Sequence, residues 1–211
     1  MKNIAIIGAG GFGREIHKLI DEINKKNKIW NLIGYFDDGQ ELLSEINSLP
    51  FLGNVNSISE RADIHCAAIA IARPEIIFKI SGFLNSLNIG TPNLIHPSFE
   101  LEEDFINIGI GNIFCYGFYM TRNIDIGDFN IFNSRVTLGH DVKIGSYNVF
   151  MPNVQISGGC KIGDSNMFGM NSSVLQNVSV GSGNSLGAHS FLIKSVPDGT
   201  SLFGMPAKKI S

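Results

Sequence analysis

Residues 108–197 read in sixes: IGIGNI (108–113), FCYGFY, MTRNID, IGDFNI, FNSRVT, LGHDVK, IGSYNV, FMPNVQ, ISGGCK, IGDSNM, FGMNSS, VLQNVS, VGSGNS, LGAHSF and LIKSVP (192–197). Each begins with Ile, Leu, Val, Met or Phe. In a chain that is 44% hydrophobic, chance places an apolar residue at all fifteen with odds of roughly five in a million, so the segment is an internal repeat. A longer period lies on top of it. Ile-Gly or Val-Gly falls at 108, 126, 144, 162 and 180, and Asn follows four residues later at 112, 130, 148, 166 and 184. Three hexapeptides therefore make one triangular coil, and five coils stack into a parallel β-helix. The leading aliphatics point inward. The fifth positions on two of the three faces are small or β-branched (Val136, Val142, Val154, Cys160, Ser172, Val178, Ser190, Val196). The five Asn are expected to form a ladder whose amides bond along the stack.

On either side of the repeat the phase is lost. Residues 98–107 (SFELEEDFIN) are acidic and read as a lead-in turn, and residues 198–211 read as a cap on the last coil. Upstream, strands and helices alternate. NIAII (3–7) runs into glycines, and residues 13–27 carry Ile16, Leu19, Ile20 and Ile23 on one helical face. LIGYF (32–36) ends at Asp37-Asp38, and CAAIAIA (66–72) is apolar throughout, as a strand buried on both faces is. A helix over 74–87 and a short strand at 93–95 complete a parallel α/β unit. The sequence thus predicts a Rossmann-like domain over 1–95 and an all-β prism with its cap over 96–211.

Composition narrows the function. The net charge is −3 and charged residues make up 17% of the 211, which offers a phosphate backbone nothing and argues against nucleic acid. Cys66, Cys115 and Cys160 are odd in number and not in metal-ligand spacing, as expected of reduced thiols in a cytoplasmic protein. The N-terminal apolar run is too short for a signal peptide and no stretch is long enough to span a bilayer.

Over nearly its full length the chain resembles the hexapeptide-repeat sugar acetyltransferases with an N-terminal Rossmann-like domain. These include sialic-acid O-acetyltransferases and the N-acetyltransferases of UDP-linked 4-amino sugars. The residues that carry the likeness are Gly8-Ala-Gly-Gly-Phe-Gly13, Phe36-Asp37-Asp38, His96-Pro97-Ser98, Gly139-His140-Asp141 and Gly204-Met-Pro-Ala-Lys208. The resemblance implies a left-handed winding, a homotrimer with sites between adjacent prisms, acetyl-coenzyme A as donor without a metal, and a role in polysaccharide biosynthesis.

Among the residues, His140 is the candidate base. It sits near a corner, and imidazole can take a proton from an attacking hydroxyl or amine near neutral pH. Gly158, eighteen residues on, should lie above it and offer a backbone N–H to a thioester oxygen. Asp141 is a candidate orienter, although neighbouring side chains in extended chain point to opposite faces. Asn133 matches a family position that contacts the acceptor. Gly8, Gly10, Gly11, Phe12 and Gly13 follow a strand and open a helix, the context of a phosphate or nucleotide cradle, with Asp37 or Asp38 placed for ribose or base. Met170 and Ala188 match family positions along the coenzyme arm, Gly158 would meet its thioester, and Lys208 in the tail is a candidate partner for a coenzyme phosphate. Gly139 and Val149 depart from relatives that carry an acid and a histidine there. The expected activity is acetyl transfer to a sugar or nucleotide-sugar hydroxyl or amine. The rival classes are a non-catalytic binding or scaffold prism and a nucleotide-dependent oxidoreductase.

Overall fold

A computed structural model of the chain describes residues 1–39, 44–100 and 105–210. Strand β1 (Lys2–Ile7) leads through the glycine loop into helix α1 (Gly11–Lys26). β2 (Trp30–Phe36), β3 (Glu45–Ile46), β4 (Leu49–Gly53), β5 (Cys66–Ile69) and helix α2 (Pro74–Ser86) follow. The sheet runs β3-β4-β2-β1-β5. Its central strands are parallel, and β3 joins β4 antiparallel through Asn47-Ser48, both at positive φ.

The sequence reading made residues 93–95 the last strand of this sheet. They form β6 (Leu94–Ile95), which pairs instead with Ile113–Phe114 of the prism. The chain touches β5 only at a single bridge, Cys66 to Gly90, and then crosses to the second unit.

That unit is a left-handed parallel β-helix with three faces, taken here in chain order. Face 1 stacks the strands at 106–108, 124–126, 143–144, 161–162 and 179–180. Face 2 stacks 94–95, 113–114, 131–132, 149–150, 167–168, 185–186 and 201–203, and face 3 stacks 119–120, 137–138, 155–156, 173–174 and 191–192. Successive layers are in eighteen-residue register, for example Ile131 on Val149 and Thr137 on Gln155. The out-of-phase tail adds Ser201–Phe203 to face 2 and folds back as an antiparallel strand, Lys208–Lys209. The acidic lead-in lies partly outside the described residues.

Two ladders hold the prism. On face 2, Phe114, Phe132, Phe150 and Phe168 stack nearly parallel with centroids 4.8–4.9 Å apart, all buried. Each such side chain contributes about 1.5–3 kcal/mol of apolar burial. At the turn from face 1 to face 2, the Asn side chains stack. The Oδ1 of each accepts the backbone N–H of the Asn one coil on, and Asn112, Asn130 and Asn148 accept that residue's Nδ2 as well, at 2.8–3.0 Å. Thr200 N–H closes the ladder on Asn184 Oδ1 at 2.7 Å.

One feature of face 2 goes beyond the repeat. Residues just before the inward positions point outward, and here they are Ile113, Ile131, Val149 and Met167. The first three are buried and all four pack into the core of the α/β unit. That apolar column seats the first unit. Val149 is wholly buried in this seat. The joint is also pinned by His96, whose Nδ1 accepts the Ser98 N–H at 2.9 Å, so that Nε2 carries the proton given to Glu22 on α1 at 2.7 Å.

Candidate active site

Leu138 points into the prism, Gly139 turns the chain, and His140 stands out from the corner between faces 3 and 1 with its side chain 71% exposed. Asp141 has φ +58°, so the corner breaks strand alternation and brings its carboxylate to the same side as the ring. The Asp141 Oδ2 lies 2.7 Å from His140 Nδ1, and Asn123 Nδ2 donates to Oδ1 at 2.9 Å. The hydrogen bond from His140, then that from Asn123, hold the Asp141 carboxyl below the usual carboxylate range. A carboxylate accepts only, so Nδ1 carries a proton, and in the neutral ring the lone pair is then on Nε2.

Gly158 lies one coil above, as the eighteen-residue spacing predicts. A Cβ on it would come within 2.6 Å of His140 Nε2. At the corner between faces 1 and 2, the equivalent N–H groups are taken by side chains of the next coil, as Ser146 N–H is by Asp164 at 2.7 Å. Among the described residues nothing accepts from Gly158 N–H. Gly139 contributes to this opening: a Cβ there would come within 2.5 Å of the Gly158 nitrogen. An acidic side chain at 139 would therefore collide with the coil above. The pair can take a proton at Nε2 and present an N–H to a developing oxyanion.

The remaining candidates fall elsewhere. Asn133 is buried at the corner between faces 2 and 3, and its Oδ1 accepts the Ser134 N–H at 2.6 Å, leaving Nδ2 for a ligand. Met170 and Ala188 are exposed on the same corner, and Lys208 is exposed on the final strand. In the glycine loop, Gly8 has φ +106° and a Cβ on Gly13 would overlap the Gly8 carbonyl oxygen, so β1 and α1 meet closely. Gly10 and Gly11 are exposed, and Phe12 is half-buried against the core. Asp37 accepts the Ala9 N–H at 2.6 Å and the Gly39 N–H at 2.7 Å, and Asp38 accepts the Val55 N–H at 2.8 Å. The Asp37 carboxylate thus takes one backbone donor of the glycine loop, that of Ala9.

All three thiols are free and buried. Burial, then the Glu15 charge, pushes Cys115 up to about 12, and burial raises Cys66 and Cys160. None is a ready thiolate. Among the described residues no group of three or more His, Cys, Asp and Glu could hold a metal, and no helix is long and apolar enough to cross a membrane.

An α/β unit seated on a left-handed parallel β-helix is the architecture of the hexapeptide-repeat sugar acetyltransferases. Residues 3–80 match the PglD N-terminal domain. The whole chain is similar to a histidine-to-asparagine mutant of perosamine N-acetyltransferase from Caulobacter crescentus, solved with CoA and GDP-perosamine (20% identity, 100% and 98% of the two chains covered, TM-score 0.91). It is also similar to the acetyltransferase domain of PglB from Neisseria gonorrhoeae, solved with acetyl coenzyme A (24%, 99% and 99%, 0.90). WeeI from Acinetobacter baumannii matches at 26% identity over 100% of both chains, with a TM-score of 0.88. A comparison with curated proteins finds no match.

Proposed function

We propose that this chain is an acetyl-coenzyme-A-dependent acetyltransferase acting on a sugar or nucleotide-sugar hydroxyl or amine. The observation that carries the reading is the exposed His140, bonded through Nδ1 to Asp141 and facing the uncovered N–H of Gly158. His140 Nε2 takes the proton of the attacking oxygen or nitrogen as it bonds to the thioester carbonyl carbon. Gly158 N–H faces the oxygen that gains charge. The imidazolium then returns the proton to the departing sulfur, so no protein nucleophile is used. That the similar perosamine enzyme is an N-acetyltransferase favours an amine.

In this reading residues 1–95 receive the acceptor and residues 96–211 carry the transfer, in a cytoplasmic protein with reduced thiols. The geometry supports a homotrimer. His140 and Gly158 lie on the edge of face 3 that is opposite face 2, where the chain's own α/β unit sits. Asn133, Met170 and Ala188 lie on the other edge of face 3, beside that unit. The outward residues of face 3, from Tyr119 and Thr137 to Gln155, Ser173 and Phe191, carry no charge. Packing face 3 around a threefold axis brings one chain's His140 edge against the next chain's Asn133 edge.

The test is thiol release from acetyl-coenzyme A with a panel of nucleotide-linked amino sugars and free sialic acid. The wild type transfers to at least one acceptor, and H140A, folded and melting as the wild type does, loses at least a hundredfold in kcat. Unchanged transfer by H140A overturns the reading.

A further inference from the structure

The corner between faces 2 and 3 carries one residue in the left-handed region at each level: Gly117, Arg135, Asn153, Asn171 and His189, with φ between +57° and +72°. Gly, Asn and His are the types that adopt this region readily, whereas an arginine there is strained. Strain of the same kind at Phe129 and Tyr147 has a visible return. Their rings stack at 5.7 Å, and Phe78 of α2 packs edge-on against Tyr147 at 5.3 Å. Arg135 shows no such return. It is exposed, its Cγ lies over Gly117, and among the described residues its guanidinium makes no hydrogen bond or ion pair.

What Arg135 does have is position. It stands two residues from Asn133 and next to Ser134, which lines a crevice of about 150 Å³ between this corner and α1, together with Tyr116, Lys18 and Glu15. Glu22 in the same crevice is already bonded by His96 and lies 3.8 Å from Lys18. On the α1 wall two carboxylates, Glu15 and Glu22, stand against the single cation Lys18, so that wall is net negative, and Arg135 adds a cation without an ion-pair partner among the described residues at the opposite edge.

We propose that Arg135 binds an anionic group of the acceptor, a carboxylate or phosphate oxygen, and so selects a charged acceptor over a neutral sugar. The guanidinium fork is suited to two oxygens of either group. The inference rests on the acetyltransferase reading for its substrate, but not for its measurement. Binding of UDP, GDP and N-acetylneuraminic acid is measured by calorimetry on the full chain, with N-acetylglucosamine as the neutral control. The diphosphates test a phosphate source and the sialic acid a carboxylate source.

At least one anionic probe binds the wild type. R135N weakens it about 10- to 100-fold, R135K weakens it less, and the neutral control is unaffected. Asn suits the left-handed corner, so R135N melts no lower than the wild type. Equal binding of anions by R135N and wild type, or no binding of any anionic probe to the wild type, overturns the inference. If acetyl transfer persists while R135N keeps its anion binding, this inference fails alone. If R135N loses the anion while no acceptor is acetylated, it is the acetyltransferase reading that fails.

Discussion

A single methyl group on Gly158 separates the chemistry of the site from its stability. The backbone there is not in the left-handed region, so alanine is conformationally allowed, but its Cβ would sit 2.6–2.7 Å from Nε2 and Cε1 of His140. The imidazole is exposed and can swing away at little cost, taking the base off its aim. G158A should therefore lose at least a hundredfold in kcat for acetyl transfer while its melting temperature stays within about 2 °C of wild type, since surface changes are usually within 0.5 kcal/mol. A large fall in melting temperature would mean that the glycine serves the coil and not the ring. The pH profile belongs to the same scale. A depressed carboxyl contributes above its ordinary range and is lost only as pH falls through the lower value, so Asp141 remains charged wherever imidazole can act as base. The acid limb of kcat/KM should then have a slope of one. A slope of two would show Asp141 titrating together with His140. The stacking of Gly158 on His140 was legible from the eighteen-residue period. Asp141 was legible as a candidate orienter but its bond was not settled, because alternation of side chains predicts the opposite and only a left-handed corner residue reverses it.

Along the stack, the Asn ladder is the element most exposed to a single change. Asn148 Oδ1 accepts both the backbone N–H and Nδ2 of Asn166, and both residues are fully buried. N148A leaves those two donors without a partner inside the prism. At 1–3 kcal/mol for each orphaned group, the expected loss is about 2–6 kcal/mol in a urea titration. A loss under 0.5 kcal/mol would mean that water or a shift of the coil replaces the amide. The ladder and the coils were readable because a repeat states the same geometry five times. The β3–β4 hairpin was not, since Glu45–Ile46 is two residues long and its Asn47-Ser48 turn lies among polar residues that resemble any loop. The partner of β6 was hidden for another reason. Leu94–Ile95 has the composition of a strand for either sheet, and only the chain's departure at Gly90 decides which one it joins.

The largest-scale signal was present in the sequence as a second column. Ile113, Ile131, Val149 and Met167 recur every eighteen residues at positions that point outward, where Thr137, Gln155 and Ser173 stand on face 3. Apolar residues on an outer face must be covered, and the cover is the α/β unit. This fixes where the two halves lie, because it puts the α/β unit on one side of the prism and His140 on the opposite edge. A site built from both edges of face 3 needs two chains, and that can be tested by complementation. H140A lacks the base on one edge, and N133A lacks the buried amide on the other. Each alone should be inactive or nearly so. Mixed one to one by co-expression, the two variants assemble at random. About a quarter of the interfaces in such trimers then join an intact His140 edge to an intact Asn133 edge. Acetyl transfer should return to about a quarter of the wild-type rate. If the mixture is no more active than its parents, the site is contained in a single chain and the trimeric arrangement is wrong.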